Sequence, residues 1–422
     1  MDILIKRATI IAPGHKNHMQ SKDILISKGK IEKIANTVSA PKAKLIESDD
    51  LHVSIGWMDI GTHVGEPGLE HRETLASVAK AAAAGGYTDI AVMPTVNPVT
   101  HSRTEVSYIA NNQPSNGLKI HSIGAVSKDV KGEDLTEMID MSKAGVVAFG
   151  DGLRTIKDSG MMMRALQYAK AVKKPIINYS IDKSLAHDGQ IHESNVSVSM
   201  GMQGIPSLAE QVAVQRDLYL AKYTESELVL HCISTSESCD LLKKAIKDKT
   251  NASGTVSYLN LIHTDEDLRG FDSNLKVKPP LRSKDDRQAL LKSVRKGNIQ
   301  SIVSNHVPLE EEQKKLEFSY AGFGATGLET CFAAVNTYLA EELSLEHAIA
   351  ALTVGPRKQL GFEVPMIESG AAACLTVFDP TIKWSYASKS KKSLSANNPY
   401  LGKELQGKVV ATIAGSKLNM AK

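Results

Sequence analysis

The side chains of this sequence best suited to chemistry gather in a few short segments. The first reads Met58-Asp59-Ile60-Gly61-Thr62-His63-Val64-Gly65-Glu66-Pro67-Gly68 and the second Val92-Met93-Pro94-Thr95-Val96-Asn97-Pro98. Further along come Gly204-Ile205-Pro206-Ser207-Leu208-Ala209-Glu210, Asn274-Leu275-Lys276-Val277-Lys278-Pro279-Pro280-Leu281-Arg282, Ser304-Asn305-His306-Val307-Pro308 and Gly327-Leu328-Glu329-Thr330. Imidazoles and carboxylates are the groups that hold metals and move protons. The four cysteines, Cys232, Cys239, Cys331 and Cys374, have no paired Cys-x-x-Cys spacing and read as reduced thiols of a cytoplasmic chain. His15, His18 and His347 lack ligand spacing and are expected at the surface.

Those segments need elements to position them. From Val53 onward, eight short β-rich runs each end in polar residues, and helix-period stretches fill most of the gaps. The runs are 53–60, 87–93, 119–126, 145–149, 175–179, 227–233, 252–258 and 299–304. Strands alternating with helices imply parallel neighbours joined by crossovers, hence a (β/α)8 TIM barrel with its chemistry at the C-terminal strand ends. The two chain ends carry a different texture, short alternating runs broken by Gly, Pro and Asn, which predicts a small β-sandwich domain from residues 1–55 plus 365–422 beside a barrel over 56–364. The Ala-rich run 79–84 predicts close helix-to-barrel packing, and the charged run 310–315 a solvated loop.

Composition excludes other classes. The chain has 422 residues, 42% apolar, with 50 Lys+Arg against 47 Asp+Glu and a formal charge of +3. That balance argues against nucleic-acid or membrane-surface binding. No apolar run approaches a membrane span, and Lys6 and Arg7 interrupt any signal-like core near the start.

Taken together and in order, the segments resemble the dihydroorotase family of the amidohydrolase superfamily, from the N-terminal β unit through the C-terminal one. The resemblance implies a zinc hydrolase that opens and closes the cyclic amide of dihydroorotate in pyrimidine synthesis. In that family strand 1 ends His-x-His followed two residues later by a substrate-gripping Arg. Here the positions are Gly61, His63 and Gly65, with the frame pinned by Glu66-Pro67-Gly68. The bridging carboxylate after strand 4 is matched by Asp151, the strand 5 ligand by Tyr179 and the strand 6 ligand by Cys232, with His231 one position off. The strand 8 aspartate, ligand and proton shuttle in the family, is Asn305, which takes up no proton near neutrality. The other two substrate anchors correspond to Thr95 and Lys278.

A catalytic zinc normally keeps three protein ligands and a water. The largest surviving set is His63, Asp151 and Cys232. The bland reading of each is a hydrogen-bonding His63 in a polar mouth, an Asp151 capping a turn, a buried apolar Cys232, a His231 on the barrel wall facing a helix, and Asn305 and His306 filling the pocket. Lys278 reads as an anion anchor or an exposed loop lysine, and His306 as a further substrate contact. The expectation is a metal-free, non-catalytic dihydroorotase-like subunit. By resemblance its partner is aspartate transcarbamoylase, and it is a homo-oligomer. The alternative is a working cyclic-amide hydrolase with zinc on His63, Asp151 and Cys232. A third reading is a small-anion sensor through Lys278.

Overall fold

The computed structural model describes residues 2–421. Eight parallel strands follow the expected runs: Trp57–Thr62, Tyr87–Val92, Lys119–Gly124, Ala148–Phe149, Ile176–Asn178, Leu228–Leu230, Ala252–Ser257 and Ser301–Val303, paired in that order. They are barrel strands 1 to 8 below. Strands 1 and 8 are joined at the mouth by a carboxylate. Asp59 accepts from the Ser304 amide at 2.8 Å, the Ser304 hydroxyl at 2.7 Å and the Thr62 hydroxyl at 2.6 Å. Inside the barrel Met58, Ile60, Ala91, Met93, Ile123, Ala148, Ile177, Val229, Cys232 and Val303 form a packed plug, so the barrel is filled rather than open.

The first expected run, Val53 to Ile60, is two strands broken at Gly56. His52–Ile55 belongs to the sheet of the chain ends, and only Trp57–Thr62 enters the barrel. The chain ends make one continuous eight-stranded sheet. Its order is Lys417–Met420, Glu404–Ala414, Cys374–Ser385, His52–Ile55, Ile3–Ile11, Ser21–Ser27 and Lys30–Ala35, with Lys44–Ile46 beside Ile3–Ile11. Ile5, Ile10, Ile24, Val53, Leu375, Val377 and Ile413 bury its apolar face. In the helix Leu75–Ala84 the alanines 79, 81, 82 and 83 are buried as expected.

The run 310–315 is only partly a solvated loop, with Glu311, Glu312 and Lys315 exposed. It contains a short helix, Glu311–Lys314, and Lys314 turns inward, donating to the carbonyls of Ser273, Gly322 and Gly324. Beside it Lys276, also buried, donates to the carbonyls of Phe318 at 2.7 Å and Ser319 at 3.0 Å. Two ammonium groups thus gather the long segment after strand 8, and burial pulls each down to about 8. Among the described residues no helix is long and apolar enough to cross a membrane.

Candidate functional site at the barrel mouth

His63 follows strand 1, and its backbone amide donates to the His306 carbonyl at 2.8 Å, tying the ends of strands 1 and 8 together. Its Nδ1 lies 2.9 Å from the Thr95 hydroxyl, and its Nε2 is buried without a hydrogen-bond partner. Burial first, then the neighbouring His231 and His306 rings, lowers its pKa to about 3. The imidazole is neutral at physiological pH and a very weak base.

Gly61 stands where the resemblance calls for a first histidine, and its neighbour explains why nothing larger fits. It has φ +89, and a Cβ built there would meet His231 Cε1 at 2.5 Å and Nε2 at 2.8 Å. The His231 ring therefore occupies the space beside Gly61 inside the mouth, which corrects the expectation that it faces a helix. Strand 6 ends at Leu230, and the next step is a turn in which Cys232 has φ +56, so the alternation of a regular strand no longer applies. His231 Nδ1 lies 3.2 Å from the Thr255 hydroxyl and Nε2 3.4 Å from the Cys232 sulfur. Burial lowers its pKa to about 4.

The other candidate ligands point to structural work. Asp151 is buried, accepting from the amides of Val126 at 2.9 Å and Ser127 at 3.1 Å and from the Ser127 hydroxyl, and so fastens the segment after strand 3. Burial raises its pKa. Cys232 belongs to the barrel plug, and burial pushes its thiol well above the usual range. Tyr179 is buried near Glu210, Arg282 and Cys232, and burial, then the Glu210 charge, raises its phenol. Asn305 has φ +44, its Nδ2 donates to the Lys278 carbonyl at 2.9 Å, and its buried Oδ1 has no partner. Among the described residues no three His, Cys, Asp or Glu side chains come together so as to hold a metal ion. A neutral phenol, a carboxamide and a carboxylate already bound to amides do not fit a zinc site.

The substrate-anchor positions carry other contacts. A Cβ on Gly65 would fall 2.0 Å from the Leu69 carbonyl oxygen and 2.7 Å from that of Glu73, so the loop 65–73 leaves no room for a side chain at this position. Thr95 is engaged with His63. Lys278 is half-buried with its Nζ 4.7 Å from the Phe323 ring centre, and burial, then the charges of Lys183 and Arg154, lowers its pKa. The charges of Lys183 and Arg154 reach Lys278, and the sequence pattern singles out neither.

Also unforeseen was Glu73. It is fully buried, with its Oε2 3.4 Å from His306 Nε2, and it accepts from the hydroxyls of Ser77 and Ser393 and the amide of Leu394. Burial pushes its pKa up, but His306 and the two hydroxyls outweigh that and leave it lowered. Ser393 lies in the connection 386–403 between the two long strands of the terminal sheet, so that connection crosses to the mouth. There Asn397 and Ser395 hold the loops after strands 8 and 1 through the carbonyls of Val307 and Arg72. Arg72 and Glu310 pair at 2.6 Å and 3.1 Å, joining those two loops directly. His306, expected as a possible substrate contact, is held instead by Glu73 on one nitrogen and by the Gly327 amide, 3.2 Å from the other.

Behind strands 5 and 6 lies the network that explains the Gly-Ile-Pro-Ser-Leu-Ala-Glu and Pro-Pro-Leu-Arg segments. Glu210 accepts from the amides of Ser234 at 2.9 Å and Thr235 at 3.0 Å and from both hydroxyls. Arg282 donates to Ser234 Oγ at 3.1 Å and the Ile205 carbonyl at 2.8 Å, and lies 3.9 Å from Glu210.

Comparison with known proteins agrees with this architecture. A family model described as dihydro-orotase-like matches residues 52–238. A dihydroorotase of Pelotomaculum thermopropionicum is 36% identical over 422 residues, covering 100% of this chain and 99% of the relative. One of Syntrophotalea carbinolica is 34% identical over 423 residues, covering 99% of each. Among solved structures, the L-hydantoinase of Arthrobacter aurescens superposes with a TM-score of 0.87 at 22% identity, covering 99% of this chain and 95% of that one. A D-hydantoinase of a Thermus species does so at 0.83 and 19%, with the same coverage. At that identity the likeness is one of fold.

Proposed function

The chain belongs to the dihydroorotase-like family, and we propose that within it this protein is a non-catalytic member of pyrimidine synthesis that supports an assembly with aspartate transcarbamoylase. One observation carries the reading: the space beside Gly61, where the family pattern places its first metal-binding histidine, is filled by the ring of His231. The rest of the donor set agrees. Asp151 is held by two amides and a hydroxyl, Cys232 is packed into the barrel plug, and Asn305 offers no base. The transcarbamoylase comes from family resemblance, not from a surface on this chain.

Elemental analysis of untagged protein with a dihydroorotate ring-opening assay tests the loss of catalysis. Substoichiometric metal with no turnover is the expected outcome, and chelator-sensitive turnover with bound zinc would overturn it. Co-purification from a native lysate tests the partner. Recovery of this chain without the transcarbamoylase, from cells that make both, counts against the assembly. The competing reading, an active hydrolase with a rearranged site, is favoured by the name dihydroorotase carried by relatives matching over the whole length.

A further inference from the structure

Three adjoining segments, which follow the C-terminal ends of strands 5, 7 and 8, form one side of the rim around the mouth. They are the helix Asn195–Met200, the short helix Asp265–Gly270 with Phe271 after it, and residues 310–320. Arg269 ties the first two together, donating to the Ser199 hydroxyl at 2.9 Å. The rings of Phe271 and Phe318, edge to face at 6.0 Å, tie the second to the third, as does the Ser273 hydroxyl, which donates to the Lys314 carbonyl at 2.9 Å. This side leaves large apolar groups in water: Val198 is 79% exposed, Phe271 47%, Leu316 45% and Tyr320 76%. Theirs is not the exposure of a frayed loop. Lys276 holds the carbonyls of Phe318 and Ser319, and Lys314 those of Ser273, Gly322 and Gly324, so two buried ammonium groups fix the backbone around Leu316 and Tyr320. Apolar side chains held out on a fixed backbone mark an interaction surface that is ordered on folding rather than on binding.

Charge selects the occupant. Residues 193–201, 264–274 and 310–320 carry nine acidic side chains and three basic ones, a local charge of −6 on a chain whose total is +3. The three bases are engaged: Arg269 pairs with Glu266 at 2.5 Å, Lys315 pairs with Glu311 at 2.6 Å, and Lys314 points inward. Glu193, Glu312 and Glu317 are exposed and, among the described residues, form no ion pair. A second copy docking through the same face would set −6 against −6, and nucleic acid or an anionic membrane is repelled likewise. A small cation satisfies the carboxylates but leaves the apolar groups in water. A protein surface with an apolar centre and a cationic edge answers both. We propose that the rim formed by residues 193–201, 264–274 and 310–320 docks a different protein, one that presents apolar side chains ringed by lysine and arginine. This goes beyond the assembly proposed above, because it names a surface and the chemistry of its partner whichever protein supplies it.

Photo-crosslinking of the full chain in its own cells tests it, with p-benzoylphenylalanine in place of Tyr320 and, as a control, in place of Tyr168, which is 49% exposed on the helix Ser159–Ala171. The expected result is an adduct to another protein from position 320 and none from position 168, with lysine and arginine flanking apolar residues in the captured peptide. Glu312→Lys with Glu317→Lys lowers the yield of that adduct by about tenfold. Far-UV dichroism and melting stay unchanged in that variant, since both side chains are exposed. High salt in a fresh lysate lowers the yield too. No adduct from position 320, adducts only to another copy of this chain, equal capture by position 168, a captured peptide without basic residues, or a yield indifferent to charge reversal would each overturn the proposal. A captured transcarbamoylase peptide would support both this surface and the assembly above, and a basic peptide of any other protein this surface alone.

Discussion

Two sets of polar side chains surround the barrel mouth, one behind the other, and they behave in opposite ways. In the outer set Asp59, Asp151 and Glu210 each bind at least one backbone amide and a hydroxyl, and Glu73 binds two hydroxyls and His306. In the inner set His63 Nε2 and Asn305 Oδ1 are buried with no partner, and Gly61 and Gly65 have no side chain at all. A carboxylate that holds amides fastens a loop, so changing it unfastens the fold. A group that only faced a metal or substrate can be replaced once that ligand is dispensed with. The outer set therefore keeps the barrel's shape, while the inner set carries the loss of function proposed above.

The contrast is broken if both sets cost the same to remove. Glu210→Ala strips the acceptors from Ser234 and Thr235 and leaves the buried guanidinium of Arg282 without its carboxylate. The expected loss is about 3–5 kcal/mol. His63→Ala removes one hydrogen bond to Thr95 and should cost roughly 1–2 kcal/mol. Urea unfolding of the two variants measures the difference, and equal losses would show that the inner ring is as structural as the outer.

His231 sharpens the comparison through pH. Its folded pKa of about 4 lies below the ordinary 6.5, so between those values the unfolded chain binds the extra proton. Its contribution is complete above pH 6.5 and is lost as pH falls toward 4, about 3 kcal/mol in all. The difference in unfolding free energy between wild type and His231→Asn, followed from pH 7.5 to 4, should shrink by that order. A flat difference would mean that the ring takes up its proton as readily in the folded protein as in the unfolded chain.

The barrel was legible because eight β-rich runs punctuate the sequence, and each of them contains a strand. What escaped was local. Strand parity puts His231 on the wrong face because the strand ends at Leu230, and beyond it Cys232 adopts a left-handed backbone. A run of charges such as that around Lys314 ordinarily is solvated, and only the three-dimensional path of the loop brings carbonyls of Ser273, Gly322 and Gly324 to its amine. The crossing of residues 386–403 to the mouth leaves no periodic trace, since its work is done by single serine and asparagine side chains. The altered positions Gly61, Gly65, Tyr179 and Asn305 were visible from the sequence, but the ring that fills the space at Gly61 was not.

A more direct test of that filled space is Gly61→His. The new Cβ meets the His231 ring at a distance no real contact shows, so the variant should lose about 1–3 kcal/mol. Adding His231→Ala frees the room. A double-mutant cycle should then show coupling of about 1 kcal/mol or more between the two sites. Additive losses would mean that His231 swings aside at no cost and that the mouth is not plugged by it.

The smallest expected effect concerns the loops over the mouth. Arg72 and Glu310 are about a fifth exposed, and their pair bridges the loops after strands 1 and 8. A partly solvated pair of this kind is worth no more than about 1 kcal/mol and weakens as salt rises. Arg72→Met should lower stability by that amount at low ionic strength and by less at high. Glu73, Ser393 and Asn397 hold the same loops from beneath with buried and partly buried bonds between groups that carry at most one charge, which salt weakens little. Hydrogen exchange in residues 65–73 should therefore quicken only modestly in Arg72→Met. A large, salt-independent opening would place the closure of the mouth in this ion pair rather than in the buried layer under it.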